Sequence, residues 1–287
     1  MAIEKQIWID MILEGGIPDA SFLSRSVDMT PLVEYNKINL AEAGVEPEVL
    51  FDNNVYPVAV ESRTDIPLEI ALHTLDTKNT VVRNIEAMEL AYDKMASVVR
   101  GHKNALHRYR TRLAAFNWCP QKNTDATPVL ATSGPRNNAG LKAVSFEDFL
   151  LLAAKYKGQD VDINRVTVVL NPTHEMDLIV EDKKLYKSIM SEGKLFGMNL
   201  FSSSALPFFN ATSGEKLAYT ASPSATDTQA SIVYCEDNVM RAVGDTDVFV
   251  TYKSPTERGD ILGYQQRFTA LPINGRNLAA IYSAKSL

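Results

Sequence analysis

Thr173-His174-Glu175-Met176-Asp177 brings together the residue types that acid–base or metal chemistry uses. The segment follows an apolar run, Val166 to Leu170, and an Asn171-Pro172 pair that opens a helix, a place where reactive groups often gather. His174, Glu175 and Asp177 could serve a metal-dependent hydrolase if a second cluster of His, Asp or Glu completed the site. None stands out in the sequence. The ordinary reading is a first helical turn enriched in acids, which suits the helix dipole. The remaining histidines are His73, His102 and His107. His102 and His107 are one step off the i,i+4 spacing that puts two ligands on one helix face. Cys119 and Cys235 are far apart and read as two reduced, buried thiols. The chain has no Gly-x-Gly-x-x-Gly, no phosphate-binding Gly-Lys-Ser/Thr loop and no Gly-x-Ser-x-Gly elbow. Asn210-Ala211-Thr212 matches a glycosylation acceptor, and Lys37 could in principle join a neighbour's Asn, but nothing else supports either. No catalytic, cofactor or metal set emerges, which favours a structural protein.

The 287 residues are 45% hydrophobic and 22% charged, with a formal net charge of −6. This supports one large or two modest cores and argues against disorder. An acidic balance disfavours tight coating of nucleic acid. The longest apolar runs fall well short of the ~18 residues that cross a bilayer. MAIEKQIWID has an acid and no long apolar run, so no secretory signal is expected there and synthesis in the cytosol is the default.

The elements that must position these residues follow from periodicity. From about Thr80 to Phe116 apolar residues recur at steps of three and four, through Ile85, Met88, Tyr92, Met95, Val99, His102, Leu106, Tyr109 and Leu113. An unbroken helix of this length would be about 55 Å long, against about 50 Å for a compact globule of this size. Asn79 or Thr80 would cap it, and lying on a sheet explains its stripe better than a coiled-coil adaptor does, since Gly101 sits mid-helix. Acids fall in its first half (Glu86, Glu89, Asp93). Arg100, Lys103, Arg108, Arg110 and Arg112 fill the second with no acid among them. That order suits the helix dipole and makes a basic stripe that could meet carboxylates or phosphates. A solvated face is the plainer account of such a run.

Residues 1–32 read as an arm, with Ile7, Trp8, Ile9, Met11, Ile12 and Leu13 as a short apolar cluster. Residues 33–65 read as a long hairpin, with Ile38 and Leu40 on one strand and Val58 and Val60 on the return. Between them Val49-Leu50-Phe51 is flanked by Glu48 and Asp52, and an apolar triplet on a projecting loop needs cover from its own core or another subunit. Ile66, Leu68, Ile70 and Leu72 make one strand, which Pro67 marks as an edge. Residues 121–140 read as a linker. An α/β region follows, with a Ser145-x-x-Asp148 helix start, an apolar helix face of Phe146, Phe149, Leu150, Ala153 and Ala154, and strands at 166–170, 194–202 and 232–234. Two long strands close the chain. The first carries Val248, Val250 and Tyr252, the second Leu262, Tyr264, Phe268 and Ala270.

This order of elements resembles the HK97-fold major capsid proteins of tailed bacteriophages. Four stretches resemble members from phages and prophages of Bacteroidetes: NLAEAGVEPEV, ESRTDIPLEIALHTLDTKNTVVRNIEAMELAYDKMASVVRGH, VTVVLNPTHEMDLI and ERGDILGYQQRFTALPI. The resemblance covers nearly the whole chain. It implies an α+β fold with an N-arm at 1–32 and an extended loop at 33–65. A peripheral domain with a spine helix would occupy 66–120, an axial domain 121–244, and returning peripheral strands 245–287. It implies a shell subunit, not an enzyme, that forms hexamers and pentamers around double-stranded DNA and is assembled in the host cytoplasm. A portal and a separate scaffold are implied partners, since the arm is too short for an embedded scaffold. Neither a cofactor nor a membrane is implied. The candidate interface residues are Glu42, Glu46, Glu48, Val49, Leu50 and Phe51 on the loop, and Arg100, Arg108, Arg110 and Arg112 on the helix. An encapsulin-like nanocompartment shell is the alternative within the same fold.

Overall fold

A computed structural model describes residues 21–34, 36–42, 52–54, 56–58, 66–83, 94–137 and 140–285. Six short strands come first: β1 (Val27–Asp28), β2 (Val33–Glu34), β3 (Lys37–Glu42), β4 (Ile66–Ala71), β5 (His73–Asp76) and β6 (Thr80–Arg83). Helix α1 (Lys94–Trp118) follows, then β7 (Val129–Ala131), α2 (Phe146–Gly158), β8 (Val166–Leu170), α3 (Pro172–Glu181) and α4 (Lys183–Glu192). The chain continues through β9 (Lys194–Leu195), β10 (Met198–Ser202), β11 (Phe208–Asn210), β12 (Asp227–Gln229) and β13 (Ser231–Cys235). It ends with β14 (Val239–Ser254), β15 (Gly259–Pro272) and β16 (Leu278–Tyr282).

Two sheets dominate. One runs β1-β14-β15-β5, with β6 also paired to β15; the other runs β7-β16-β13-β8-β10-β9. β8 and β13 are buried at every position, as expected of central strands covered on both faces. Helices α2, α3 and α4 cover one face through Phe149, Leu152, Tyr156, Leu178 and Ile189. On the other face, Val169, Ile232, Tyr234 and Leu278 belong to one core with Ala114, Ala115 and Trp118 of α1. The same core includes Val99 and Leu106 of α1 and Leu262, Tyr264 and Phe268 of the first sheet, so α1 is the beam that joins the two. A third, three-stranded sheet, β2-β3-β4, attaches through a small core of Ile38, Leu72 and Ala242.

Several expectations change. Thr80–Arg83 is not helical: it is a strand paired antiparallel with Leu262–Gly259. Thr-Val-Val is β-branched and fits a pleated surface better than a helix start. The described helix begins at Lys94 and is about 37 Å long. The hairpin's return strand is β4, in register with β3 from Lys37↔Ala71 to Glu42↔Ile66, and not the stretch around Val58. β4 is an edge strand, as Pro67 requires, and the expected single strand breaks at Leu72, beyond which β5 joins a different sheet. The segment 121–140 contains β7, a parallel strand of the six-stranded sheet. β16 also lies in that sheet, so residues 245–287 do not all return to the long strands. On α2, Leu150 is exposed, and Leu152 and Tyr156 take its place in the core. Of the arm, residues 21–32 dock on the body: Phe22 and Leu23 are buried, and Tyr234 donates to the Phe22 carbonyl at 2.6 Å. Ile7 to Leu13, the triplet Val49 to Phe51 with Glu46 and Glu48, and Glu86 to Asp93 lie outside the described residues.

Candidate interaction surfaces

The acid–base candidates do not converge. Asn171 caps α3 by accepting from the His174 amide at 2.7 Å, which turns the imidazole inward. His174 is fully buried, with Nδ1 2.8 Å from Ser231 Oγ and Nε2 2.8 Å from Ser283 Oγ. Burial pushes its pKa down to about 3, so the ring is neutral. Glu175 points elsewhere, accepting from Tyr186 at 2.9 Å and from Ser202 at 2.6 Å. Asp177 accepts from the Val144 amide at 3.3 Å and from Asn137, and burial raises its pKa. Each of the three holds a different piece of scaffold. Among the described residues no group of three or more His, Cys, Asp or Glu could hold a metal. The thiol pKa of Cys119 is pushed up to about 12 by burial, which makes it inert.

The basic residues of α1 separate into two kinds. Arg100, Arg108 and Arg112 are exposed, and among the described residues they make no ion pair. Gly101 lies on the same side with open space above it. Arg110 is half-buried instead. Its guanidinium sits 5.8 Å from the Phe268 ring centroid, and burial, with Arg241 nearby, lowers its pKa. Arg110 therefore presents less of its charge outward than the other three do. Glu42 ends β3, paired with Ile66. Among the described residues no helix is long and apolar enough to cross a membrane.

A groove follows one side of α1. The buried line on the helix turns from Val99, His102 and Leu106 to Ala114, Ala115 and Trp118, because the second half faces the other sheet. Tyr109 and Phe116, which the apolar spacing assigns to the core, are left at the edge, and Tyr109 is 46% exposed. Toward β5 a depression of about 370 Å³ is bounded by Thr74, Asp76, Ala105 and Tyr109. On the other side of Tyr109 a separate hollow of about 500 Å³ lies between Arg112 and Phe116 and the segment from Ala205 to Pro223. Tyr219 packs edge-on against both Tyr109 and Phe116, with centroids 5.8 and 5.2 Å away.

Lys216 fixes the far wall of this groove. Its buried ammonium donates to the carbonyls of Phe116 at 3.0 Å and Cys119 at 2.6 Å, and lies 4.1 Å from the centroid of the Phe116 ring. A cation at the helix C-terminus satisfies carbonyls that no further turn can reach, since Pro120 stops the helix. Gln121 and Lys216 exchange further bonds at 3.1 and 3.2 Å. No signal in the sequence marks Lys216, because its partners are about a hundred residues away. A second hollow of about 500 Å³ lies between Pro135–Asn137 and α3, lined by Met176, Asp177 and Val180.

No family model matches the sequence, and no curated protein matches it. Solved structures match the fold over most of the chain. The capsid of Ralstonia phage GP4 aligns with a TM-score of 0.66 at 11% identity, covering 95% of this chain and 89% of that one. The capsid of cyanophage P-SCSP1u gives 0.64 at 16% identity, with 91% and 87% covered. A virus-like particle from Pyrococcus furiosus gives 0.59 at 11% identity, with 96% of each chain covered. The chain has the mixed α+β fold of phage capsid proteins, of the HK97-like kind. Identities this low establish the fold and leave the biology to be argued from the surfaces.

Proposed function

We propose that this protein is the major capsid protein of a tailed bacteriophage, of the type found in phages of Bacteroidetes. Its copies close into an icosahedral shell around double-stranded DNA. The observation that carries this reading is the match to phage capsids over nine-tenths of the chain. In this reading residues 1–32 form the N-arm, the β3–β4 hairpin is the extended loop, and α1 with the long strands is the peripheral domain. The six-stranded sheet with α2–α4 is the axial domain around five-fold and six-fold axes. Heterologous contacts that close on themselves give pentamers and hexamers. The work is mechanical, and no residue has a catalytic role. Assembly takes place in the host cytoplasm, with a portal and a separate scaffold protein as further partners. Expressed alone or with its scaffold, the chain should give closed particles tens of nanometres wide by electron microscopy. A small discrete oligomer under all conditions would refute the proposal.

Arg100, Arg108 and Arg112 offer exposed charge to the acids of a neighbour's loop, Glu42, Glu46 and Glu48. Arg108→Glu combined with Arg112→Glu should abolish particles and leave the far-UV spectrum and melting temperature of the subunit unchanged. Normal particles from this variant would remove the charge contact. A cellular shell is the second reading, since one similar fold is a virus-like particle from Pyrococcus furiosus. Particles that hold protein cargo and no nucleic acid would favour it.

A further inference from the structure

We infer that the hollow between α3 and the stretches 134–137 and 140–144 binds a small primary amine with an aliphatic stem. The site lies within one subunit, so it stands or falls apart from the shell reading.

The fold builds a firm recess there. The Gly134 amide donates to the Ala143 carbonyl at 3.0 Å, and the Ala143 amide donates to the Pro135 carbonyl at 2.8 Å, which ties the two stretches together. A side chain on Gly134 would run into the Ala143 carbonyl. Asn137 accepts from the Leu141 amide at 3.1 Å and reaches across to Asp177 at 3.4 Å. The space left against the helix is about 500 Å³, the size of an ordinary small-molecule pocket.

Helix α3 lays two parallel rows along that space. Met176 and Val180, one turn apart, form an apolar row and are 58% and 76% exposed. Pro135 and Val144 face it from the other wall. Asp177 and Glu181, also one turn apart, form an acidic row beside it. Both carboxylates are held by neutral donors: Asp177 by the Val144 amide and Asn137, Glu181 by the Ser145 hydroxyl and the Phe146 amide. Among the described residues neither makes an ion pair. The last turn of α3 carries no basic residue, so the negative end of the helix dipole adds to their charge. Arg136 is the one cation among the described lining residues. It is exposed, its guanidinium lies beside Gly140, and it offsets at most one of the two charges.

An apolar row beside an acidic row selects its ligand. The stem of an alkylammonium covers Met176 and Val180 while its head takes carboxylate lone pairs that the neutral donors leave free. A neutral chain leaves the carboxylates unused, and an anionic one is repelled. The recess spans two turns of α3, from Thr173 to Glu181, about 12 Å, which a free amine fills by itself.

Calorimetry on the purified full chain tests this with n-butylamine, n-hexylamine and n-octylamine. Affinity should rise about two- to fourfold for each added methylene. n-Hexanol and hexanoate should show no binding at the same concentrations. Asp177→Asn, which keeps an acceptor for the Val144 amide, should weaken n-hexylamine at least about fivefold. Val180→Ser, at an exposed position, should flatten the chain-length series. Asp160→Asn, beyond the far end of α2, should change neither. Equal binding of n-hexanol and n-hexylamine, a flat series in the unsubstituted chain, or full affinity in Asp177→Asn overturns the inference. So does tighter binding of N-acetyl-leucyl-lysine amide than of n-octylamine, which would assign the hollow to a lysine of a partner protein. The shell reading is untouched by any of these results, since none of them counts particles.

Discussion

The two halves of the core handle buried polar groups in opposite ways. In the six-stranded sheet region His174, Ser231, Ser283 and Asn171 form a closed set in which each side chain has a partner. Tyr156 donates to carbonyls on β13 and beside β16. Along α1 and β15 the reverse holds. Among the described residues, every buried side-chain N or O without a partner lies on those two elements: His102 Nε2, His107 Nε2, Arg110 Nε, Tyr264 Oη, Gln266 Oε1 and Thr269 Oγ1. Each such atom costs about 1–3 kcal/mol relative to a satisfied one. The six-stranded region meets these buried polar groups within the chain, while Leu151, Met176 and Val180 on its covering helices stay exposed. The helix seam is held by apolar contact and stacking, with His102 5.2 Å from Tyr264 by ring centroid.

Acid should expose this contrast most strongly. The folded pKa of His174, about 3, lies below the unfolded value of 6.5. The unfolded chain therefore takes up the proton first. The stability from keeping this ring neutral is full above about 6.5 and is lost as pH falls toward 3, on the order of 5 kcal/mol in all. His102 and His107 are also depressed by burial and act with the same sign. Urea unfolding at a series of pH values should give a stability that falls steadily below 6.5. In His174→Ala the slope should shrink without vanishing. An unchanged slope would mean that the closed set does not depend on the neutral ring.

Substitution at constant pH sharpens the same comparison. His174→Ala leaves a cavity and deprives the hydroxyls of Ser231 and Ser283 of their shared partner, and should cost about 3 kcal/mol. His102→Leu removes an unpartnered nitrogen while keeping volume against Tyr264. It should change stability by less than about 1 kcal/mol and with either sign. Equal losses at the two positions would erase the distinction between the regions. Lys216→Met comes next. It strips two carbonyls at the end of α1 of their donor and should cost about 2 kcal/mol by urea unfolding.

What the sequence made legible was local. Ser145-x-x-Asp148 announced a helix start that the structure closes as a full capping box, and Asn171-Pro172 announced another. Val166–Leu170 and the two long terminal strands were readable because apolar runs and alternation are contact-range signals. Thr80–Arg83 was misread because three apolar-compatible residues satisfy a helical and a strand period equally, and the partner that decides, β15, is 180 residues away. β7 was missed for the same reason: Val129-Leu130-Ala131 is too short to show a period and gains its identity from β16. Arg110 looked like its neighbours in a charge run, since nothing local tells which arginine faces Phe268. The interaction surfaces were half legible. The spacing marked Tyr109 and Phe116 as apolar positions, but the turn of the buried line between two sheets, which makes them a groove edge, is a tertiary fact.

The smallest effect should fall at the helix cap, and it separates stability from assembly. Ser145 Oγ accepts from the Glu147 amide at 3.3 Å and donates to Glu181 at 2.8 Å, while Asp148 accepts from the Ser145 amide at 3.1 Å. Glu181 also accepts from the Phe146 amide at 3.0 Å, so the end of α3 holds the start of α2 from a second side. Ser145→Ala therefore removes one of several restraints and should cost about 1 kcal/mol. The site lies on the face of the six-stranded sheet away from α1, so the particles counted by electron microscopy should be as many and as wide as those of the unsubstituted chain. Loss of particles from a Ser145→Ala subunit that remains folded would show that the six-stranded region takes part in assembly as directly as the helix does.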